Sequence, residues 1–331
     1  MSNLPKKKKR IALFVTGGTI TCDYDSESDR IMPAKNGEQL VSSIPWASKV
    51  CDIKLIDFCS LPSPQLTPAL GVELAARVQA ELDSPDIDGA VVVQGTDTLE
   101  EMAYLLHLLI VSEKPVVFTG SMKSDHELYR DAPGNLCGAL MVASSDLARG
   151  YGVLVYFDQE IHSARYVTKS NSNNISAFKS IQSGPIGLLN GENLVLFFQP
   201  LATKKYPVPK LEKNVQLIKA FCGMDDLLVR SCIESGVDGL VIEGMGAGNL
   251  PICMMEAVQA AIQKNIPVVI TTRCPTGVAI GTYAYPGGGA MLEEIGAIIG
   301  GELSGPKARI RLMVLLEINN NVRFLRDNFL E

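Results

Sequence analysis

The sequence has little of what metal-dependent proteins rely on. Its 331 residues include three histidines and one tryptophan, and no H-E-x-x-H motif occurs. The eight cysteines form no C-x-x-C pair, and none stands near a histidine at zinc-ligand spacing. We therefore expect no metal site. Unpaired cysteines within apolar runs also favour a reducing compartment, so a cytoplasmic protein is expected.

Long hydrophobic runs are missing as well. The longest apolar runs, such as Ile11–Val15 and Val153–Phe157, are far shorter than the roughly 20 residues that a membrane-spanning helix needs. A basic block, Lys6–Arg10, precedes the first of them, but the apolar run ends at Thr16, too early for a signal peptide. The sequence predicts a first β-strand there, with no signal peptide and no membrane partner.

The basic block has a second interpretation, as a patch that binds nucleic acid. The net charge of the whole chain is −6, which weighs against that function. We expect Lys6–Arg10 to be a solvated, frayed leader and the protein to have no nucleic-acid partner.

Strand-like and helix-like patterns alternate through the first half of the chain. Short apolar runs predict strands at Arg10–Val15, Ile53–Phe58, Gly89–Val93, Pro115–Thr119 and Gly152–Asp158. Helical spacing predicts helices at Pro68–Ala80, Leu99–Val111 and Leu136–Ala148. Continuous Val-rich runs separated by helices are typical of an α/β fold with a doubly wound, mainly parallel sheet.

The second half predicts another, smaller α/β domain. Residues 163–184 are rich in Ser, Asn and Lys and are predicted to form a loop, and a proline-rich linker is expected at 200–213. The domains are accordingly 1–199 and 214–331. The predicted elements of the second domain are strands at Gln216–Ala220, Gly239–Glu243 and Pro267–Thr271, and helices at Met224–Glu234, Pro251–Lys264, Ala290–Ile299 and Lys307–Glu317.

Three segments rich in glycine and hydroxyl residues follow predicted strands. They are Thr16–Ile20, Gln94–Thr98 and Thr119–Lys123. Ligands of parallel α/β sheets bind outside the carboxyl ends of the strands. Glycine there lets a substrate approach the backbone closely. The three segments are therefore the candidate site.

Threonine needs a neighbouring base before its hydroxyl can act as a nucleophile. Thr19 is the natural nucleophile of the first segment, and Tyr24 is placed to relay its proton. Thr96 and Asp97 adjoin each other in the second segment, where a lysine would complete a Thr–Lys–Asp group. Lys169, within the Ser/Asn-rich loop, is the candidate lysine.

Other polar residues have structural interpretations. Thr98 and Glu101 fit a capping box at the start of a helix, which favours a structural role for Thr98. His107 lies within a predicted helix and is expected to be packed. Asn249 stands before a predicted helix, where it could be the N-cap or could face a ligand. The glycines around it lack the G-x-G-x-x-G spacing of dinucleotide sites.

These segments resemble the bacterial-type L-asparaginase family. Thr16-Gly17-Gly18-Thr19-Ile20 is similar to its first signature, and Gln94 to Glu101 is similar to its second. Further similar segments are Lys114–Lys123, Val167–Lys169 and Gly246–Leu250, so the resemblance extends over almost the whole chain in the family's order.

The resemblance implies a function and a set of roles. Thr19 would form an acyl-enzyme with the assistance of a loop tyrosine, while Thr96, Asp97 and Lys169 would form a second catalytic group. Ser63 would bind the substrate α-carboxylate, Asp97 the ammonium group, and Gln65 would belong to the same binding site. Asn249 would reach the site of a neighbouring subunit, which implies a homodimer or homotetramer. The reaction would hydrolyse L-asparagine to L-aspartate and ammonia without a cofactor.

Departures from the family pattern leave alternatives open. The loop tyrosine often lies farther from the first threonine, near Arg30–Pro33, yet Tyr24 is the nearby tyrosine here. Pro64 and Gln65 replace a polar and an acidic residue common in the family. A glutaminase-asparaginase and a non-catalytic amino-acid-binding protein on the same scaffold remain as alternatives. An amidotransferase subunit is disfavoured, because the first predicted strand begins near residue 10.

Overall fold

The structure is a computed structural model that describes residues 8–25, 29–33 and 35–329. The chain divides into two compact units, Met1–Lys205 and Tyr206–Glu331. The division between them falls inside the segment 200–213 that the sequence predicts to be a linker. Each unit is an α/β arrangement with its own sheet.

The first unit contains the larger sheet. Its strands among the described residues are β1 Arg10–Val15, β2 Cys22–Asp25, β3 Arg30–Pro33, β4 Asp52–Asp57, β5 Gly89–Val93, β6 Val116–Thr119, β7 Val153–Phe157, β8 Glu160–Ser163, β9 Thr168–Lys169, β10 Phe178–Lys179, β11 Gly187–Asn190 and β12 Asn193–Leu196. Its helices are α1 Gly37–Ser43, α2 Ala47–Val50, α3 Pro68–Asp83, α4 Leu99–Leu109 and α5 Ala132–Ala143, with single 3-10 turns at Thr19–Thr21, Ser63–Gln65 and Asp146–Ala148.

The described strands of this sheet follow the order β12-β11-β8-β7-β6-β5-β1-β4. The run from β4 to β7 is parallel, with Leu13 of β1 paired to Leu55 on one side and Val91 on the other. All five residues of β5 are buried, because α/β crossovers cover both faces of a parallel sheet. The predicted α/β fold with a mainly parallel sheet is confirmed.

The remaining edge of the sheet is antiparallel, which the sequence did not predict. β7 and β8 are joined by Asp158-Gln159, both with positive φ (45° and 69°), the conformation that tight hairpins require. β11 and β12 are joined by the two-residue turn Gly191-Glu192, in which Gly191 has a positive φ of 62°. Strands β8, β11 and β12 have four residues each, too few to show an alternating pattern.

Helices pack on both faces of this sheet. Alternate residues of a strand point to opposite faces. Ile11 and Leu13 of β1 therefore join one buried cluster with Leu136 and Leu140 of α5, while Ala12 and Phe14 point to the other face. α3 begins at an N-cap, Thr67, whose side chain accepts a hydrogen bond from the Leu70 amide, and it lies beside α4.

The second unit has a parallel sheet of its own. Its described strands are β13 Val215–Lys219, β14 Gly239–Gly244, β15 Val268–Thr272 and β16 Ile298–Ile299, hydrogen-bonded in that order. Its helices are α6 Leu227–Glu234, α7 Ile252–Gln263, α8 Gly289–Glu294, α9 Gly305–Ile318 and α10 Val322–Asp327. The smaller α/β domain is thus confirmed in its class of fold.

Several predicted elements are corrected. The helix predicted at Ala290–Ile299 is wrong, because α8 ends before Gly296, whose φ of 107° breaks the helix, and β16 follows. The predicted helix Leu136–Ala148 begins earlier, at Ala132, and ends at Ala143. The loop predicted at 163–184 contains the antiparallel pair β9 and β10, in which Lys169 faces Phe178.

The basic block is not a frayed leader where the structure describes it. Lys9 pairs with Asp88 and Asp146, each at 3.1 Å, and Arg10 opens β1 with its amide donating to Asp88 Oδ2 at 2.9 Å. These bonds to Asp88 and Asp146 raise the pKa of Lys9. Lys6 and Lys7 lie outside the described residues. The correction therefore applies to the end of the block that starts the first strand.

The described residues contain neither a membrane-spanning helix nor a group of metal ligands. No helix among residues 8–25, 29–33 and 35–329 is long and apolar enough to cross a membrane. In the same part of the chain, no three His, Cys, Asp or Glu side chains are grouped as ligands for a metal ion. Each of the eight cysteines is a free thiol.

Candidate active site

Three loops meet at the carboxyl end of the parallel sheet. They follow β1, β4 and β5, which are neighbours in the sheet. The backbone bonding of the sheet continues into them, since the Thr16 amide and hydroxyl both donate to the Val93 carbonyl at 3.0 Å. The Leu61 amide donates in turn to the Thr16 carbonyl at 3.0 Å. The candidate segments 16–20 and 94–98 are thereby brought together with the segment that carries Ser63.

Glycines allow these loops to approach one another without side chains between them. A Cβ on Gly18 would lie 2.2 Å from the Gly95 Cα, and one on Gly17 would lie 2.6 Å from the Leu61 carbonyl oxygen. A Cβ on Gly95 would lie 2.9 Å from the Ser63 Cβ. Gly17 and Gly18 also have positive φ, at 107° and 92°. Glycine is therefore required at both positions by conformation and by space.

Thr19 begins the 3-10 turn that follows these glycines. It is partly buried, and its carbonyl accepts the Cys22 amide. The neighbouring Thr21 hydroxyl donates a hydrogen bond to the Gly18 carbonyl at 2.9 Å. Thr19 thus occupies the end of the first loop, at the point where the chain turns into the hairpin of β2 and β3.

Thr96, Asp97 and Lys169 form one hydrogen-bonded group. The Lys169 Nζ lies 2.9 Å from the Thr96 Oγ1 and 2.6 Å from the Asp97 Oδ1. Thr96 is 6% exposed and the Lys169 side chain 16%, while the Asp97 side chain is 60% exposed. Lys169 reaches this position because β9 pairs with β10. A lysine held against a hydroxyl and a carboxylate can exchange a proton with the hydroxyl, while the carboxylate balances the positive charge of the lysine.

Ser63 lies beside this group. It is 3% exposed and sits in the 3-10 turn Ser63–Gln65. Its hydroxyl accepts a hydrogen bond from the Asp97 amide at 3.1 Å. Gln65, in the same turn, is exposed, and its amide donates to the Pro62 carbonyl. The structure therefore brings Ser63 to Asp97 and leaves Gln65 at the surface of the turn.

The capping box predicted for Thr98 and Glu101 is wrong. Thr98 is the N-cap residue of α4, but its side chain makes no capping bond. Its hydroxyl donates to the Ser63 carbonyl at 2.9 Å, since the approach of the two loops puts that carbonyl within reach. A capping box is read from spacing within one segment, so it gives no warning of a partner supplied by a distant one.

Tyr24 lies in β2, which follows the Thr19 turn directly. Its hydroxyl donates to the Asp29 carboxylate at 2.6 Å, and this bond raises the pKa of the phenol. Its ring stacks on His126, with centroids 4.6 Å apart. The side chain is 38% exposed. The contacts of the ring and hydroxyl are therefore with the hairpin itself and with the loop that precedes α5.

The third candidate segment has a structural role. Asp131 accepts hydrogen bonds from the Ser121 hydroxyl at 2.6 Å and from the Met122 amide at 2.9 Å. The Thr119 hydroxyl donates to the Tyr156 carbonyl at 2.8 Å. The Ser121 hydroxyl therefore holds the turn between β6 and α5, and the Thr119 hydroxyl ties β6 to β7.

Two further candidates have partners of their own. His107 is buried in α4, and its Nδ1 accepts the Val153 amide at 3.2 Å, so it is a packed residue as predicted. Asn249 is not a helix N-cap, because Pro251 occupies that position of α7. Its Oδ1 accepts the Gly289 amide at 3.3 Å, within the second unit. The turn from β14 places it two residues too early to cap the helix.

The fold and the site define a two-unit α/β protein with a hydroxyl–lysine–carboxylate group at the carboxyl end of a parallel sheet. Two family models match the chain. One, described as Asparaginase, N-terminal, matches residues 10–202, and the other, described as Glutaminase/Asparaginase C-terminal domain, matches residues 214–329. The chain belongs to the asparaginase family.

Individual relatives are similar over nearly their whole length. A protein named L-asparaginase from Bacillus licheniformis is 33% identical over 93% of this chain and 95% of its own. A probable L-asparaginase from Deinococcus radiodurans is 36% identical over 98% of both chains. L-asparaginase 2 of Bacillus subtilis is 31% identical over 98% of this chain and 87% of its own.

Proposed function

We propose that this protein is an L-asparaginase, which hydrolyses L-asparagine to L-aspartate and ammonia. The observation that carries the proposal is the contact of the Lys169 Nζ with both the Thr96 Oγ1 (2.9 Å) and the Asp97 Oδ1 (2.6 Å). The names of the relatives support the choice of substrate. A protein that only binds an amino acid has no need of a lysine held against a threonine hydroxyl.

The proposed reaction has two halves. The Thr19 Oγ attacks the side-chain amide carbon of asparagine and loses its proton as the C–O bond forms. The C–N bond then breaks, and the nitrogen takes up a proton and leaves as ammonia. Water next attacks the ester, one of its protons returns to the Thr19 Oγ, and L-aspartate is released. Tyr24 is proposed to assist Thr19, and Thr96 with Lys169 to relay the protons.

The polar head of the substrate is proposed to lie between the loops that follow β4 and β5. Asp97 suits the ammonium group, because one of its oxygens holds Lys169 and most of its surface is exposed. Ser63 is proposed to bind the α-carboxylate beside it, with Gln65 at the edge of the same turn. Asn249 is proposed to contribute to the site of a neighbouring subunit.

The assembly and compartment are part of the proposal. The role given to Asn249 requires a homodimer or homotetramer, which sedimentation of the purified protein measures directly. The free thiols favour a cytoplasmic location. The scheme uses side chains of this protein and of its neighbouring copy, with no metal, cofactor, nucleic acid or membrane as a partner.

Glutamine is the second candidate substrate. The family model that matches residues 214–329 is described as Glutaminase/Asparaginase, and glutamine carries the same head group with one more methylene. A single methylene changes specificity only by about 10- to 200-fold, so one pocket can accept both amides.

Ammonia release from L-asparagine and L-glutamine, measured side by side, tests the proposal. The Thr19→Ala variant is the control, since it should fold and release no ammonia above background. Release from asparagine alone supports an asparaginase, and comparable release from both supports a glutaminase-asparaginase. If the folded protein releases ammonia from neither amide, the proposed function is wrong.

A further inference from the structure

A short chain of hydrogen bonds links the loop after β5 to the Ser63 turn. The Gln94 Nε2 donates to the Thr98 Oγ1 at 3.3 Å, and the Thr98 hydroxyl donates to the Ser63 carbonyl at 2.9 Å. Gln94 is fully buried and Ser63 is 3% exposed. The bonds are therefore partly buried, and an unmade hydrogen bond is costly there.

A second bond runs between the same loops in the same direction. The Asp97 amide donates to the Ser63 Oγ at 3.1 Å. Ser63 thus receives one bond on its carbonyl and one on its hydroxyl, both from the segment 97–98. The loops also touch directly, because Gly95 leaves no room for a Cβ beside the Ser63 side chain. Together these contacts fix the separation of Ser63 and Asp97.

We infer that Thr98 is a positioning residue for the substrate's amino-acid head group. Its hydroxyl holds the Ser63 turn at the distance from Asp97 that an α-carboxylate and its neighbouring ammonium group require. The inference rests on the proposed function for the roles of Ser63 and Asp97. Thr98 itself touches neither the substrate nor Lys169 in this scheme.

Thr98→Val removes the hydroxyl and keeps the shape of the side chain. The Ser63 carbonyl then loses its donor and the Gln94 Nε2 its acceptor, so the turn is free to move away from Asp97. We expect KM for asparagine to rise about tenfold, the worth of one buried hydrogen bond. We expect kcat to change much less, because the Lys169 contacts with Thr96 and Asp97 are retained.

Two variants separate positioning from general damage. Thr98→Ser keeps the hydroxyl and should restore KM to within about twofold of the wild-type value. Thr67→Val removes the N-cap of α3, a hydroxyl in the same stretch of chain that accepts a hydrogen bond from the Leu70 amide. It should lower the midpoint of urea unfolding and leave KM unchanged. If Thr98→Val does not fold, Gln94→Met breaks only the first bond of the chain and should raise KM about two- to threefold.

Hydrogen exchange of the Asp97 amide gives a readout that needs no substrate. In Thr98→Val this amide should lose protection, because its acceptor on Ser63 is no longer held. If Thr98→Val loses protection at this amide but even the wild-type protein releases no ammonia, the contact between the loops is supported and the proposed function is wrong. An active wild type whose KM is the same in Thr98→Val would overturn the positioning role, whatever the amide does. A raised KM that serine restores and the Thr67 variant does not share supports it.

Discussion

Lys169 and Asp97 illustrate how one ion pair serves a site more than it serves stability. The lysine side chain is only 16% exposed, whereas the aspartate is 60% exposed. Partly exposed pairs contribute little to folding, because water and salt screen them. The pair does fix the ammonium group against Thr96, and it leaves the second oxygen of Asp97 open towards solvent. The arrangement therefore suits the proposed roles, in which the Thr96 hydroxyl exchanges a proton and the Asp97 carboxylate binds the substrate's ammonium group.

Lys169→Met tests this role. The methionine keeps the length of the side chain but cannot accept or donate a proton, so kcat for asparagine should fall at least about 100-fold. KM should change less, since Ser63 remains and Asp97 gains freedom to bind the substrate. Steady-state ammonia release at several asparagine concentrations separates the two constants.

Lys179→Met is the matched control for that substitution. Lys179 lies on β10, opposite Thr168, and pairs with Glu160 at 2.7 Å. Loss of its charge should leave kcat within about twofold of the wild-type value, as expected of a partly exposed ion pair. Equal losses in the two variants would mean that the β9–β10 pair is merely destabilised, and an unchanged kcat in Lys169→Met would remove the lysine from the mechanism.

At the scale of elements, the sequence predicts what periodicity and long apolar runs determine. The parallel strands β1, β5 and β7 were located within a residue at each end, because burial on both faces makes them continuously apolar. The hairpins β7–β8 and β11–β12 depend on two-residue turns with positive φ, and short strands give no pattern. β16 has two residues and is set by its neighbour β15.

The site was predictable in part, and for a different reason. Glycine and threonine after strands indicate where a site could lie, but the Ser/Asn-rich loop offered Lys169 only as a candidate, and its catalytic role was implied by the family resemblance. Its partners are 72 and 73 residues away along the chain, a separation that no local pattern encodes. Thr98 shows the opposite error, since a good local pattern predicted a cap and a distant carbonyl took the hydroxyl instead.

Gly18→Ala tests the close approach of the first and second loops. The added Cβ would lie 2.2 Å from the Gly95 Cα, whereas ordinary contacts begin near 3.4 Å, so one loop must move by about an ångström. A displacement of that size in a catalytic site costs about 100-fold in rate. We expect kcat/KM to fall by at least that factor and the midpoint of urea unfolding to drop.

Gly184→Ala separates this contact from the cost of the backbone conformation. Gly184 also has positive φ, at 72°, yet a Cβ there would meet nothing within 4 Å. It should lose only about 1 kcal/mol of stability, the penalty of alanine at positive φ, and keep full activity. Normal activity in Gly18→Ala would show that the two loops tolerate separation.

At the scale of the whole molecule, one partly buried cation lies just before the division between the two units. Lys205 is the last residue of the first unit, and its Nζ donates to the His107 carbonyl at 2.6 Å. His107 in turn accepts the Val153 amide through its Nδ1. The chain leaving the large sheet is therefore tied to α4 and β7. Burial of the ammonium group lowers the pKa of Lys205 to about 8, from 10.5.

This lowered pKa predicts how stability changes with pH. Below about pH 8 both the folded and the unfolded chain hold the proton on Lys205, so the burial penalty is constant. Between pH 8 and 10.5 the folded chain releases the proton and the unfolded chain keeps it, so stability rises with pH. The gain across that window should be on the order of 2 kcal/mol.

Lys205→Met isolates this contribution from the other groups that titrate in alkali. The free energy of unfolding, measured in urea for both proteins at pH 6, 7, 8, 9 and 10, gives a difference in which shared titrations cancel. That difference should be flat up to pH 8, because the missing bond to His107 adds only a constant, and should then move in favour of the wild type. A flat difference up to pH 10 would mean that the ammonium group is solvated in the folded protein. A shift in the opposite direction would require the fold to prefer the charged lysine, which the burial of Lys205 opposes.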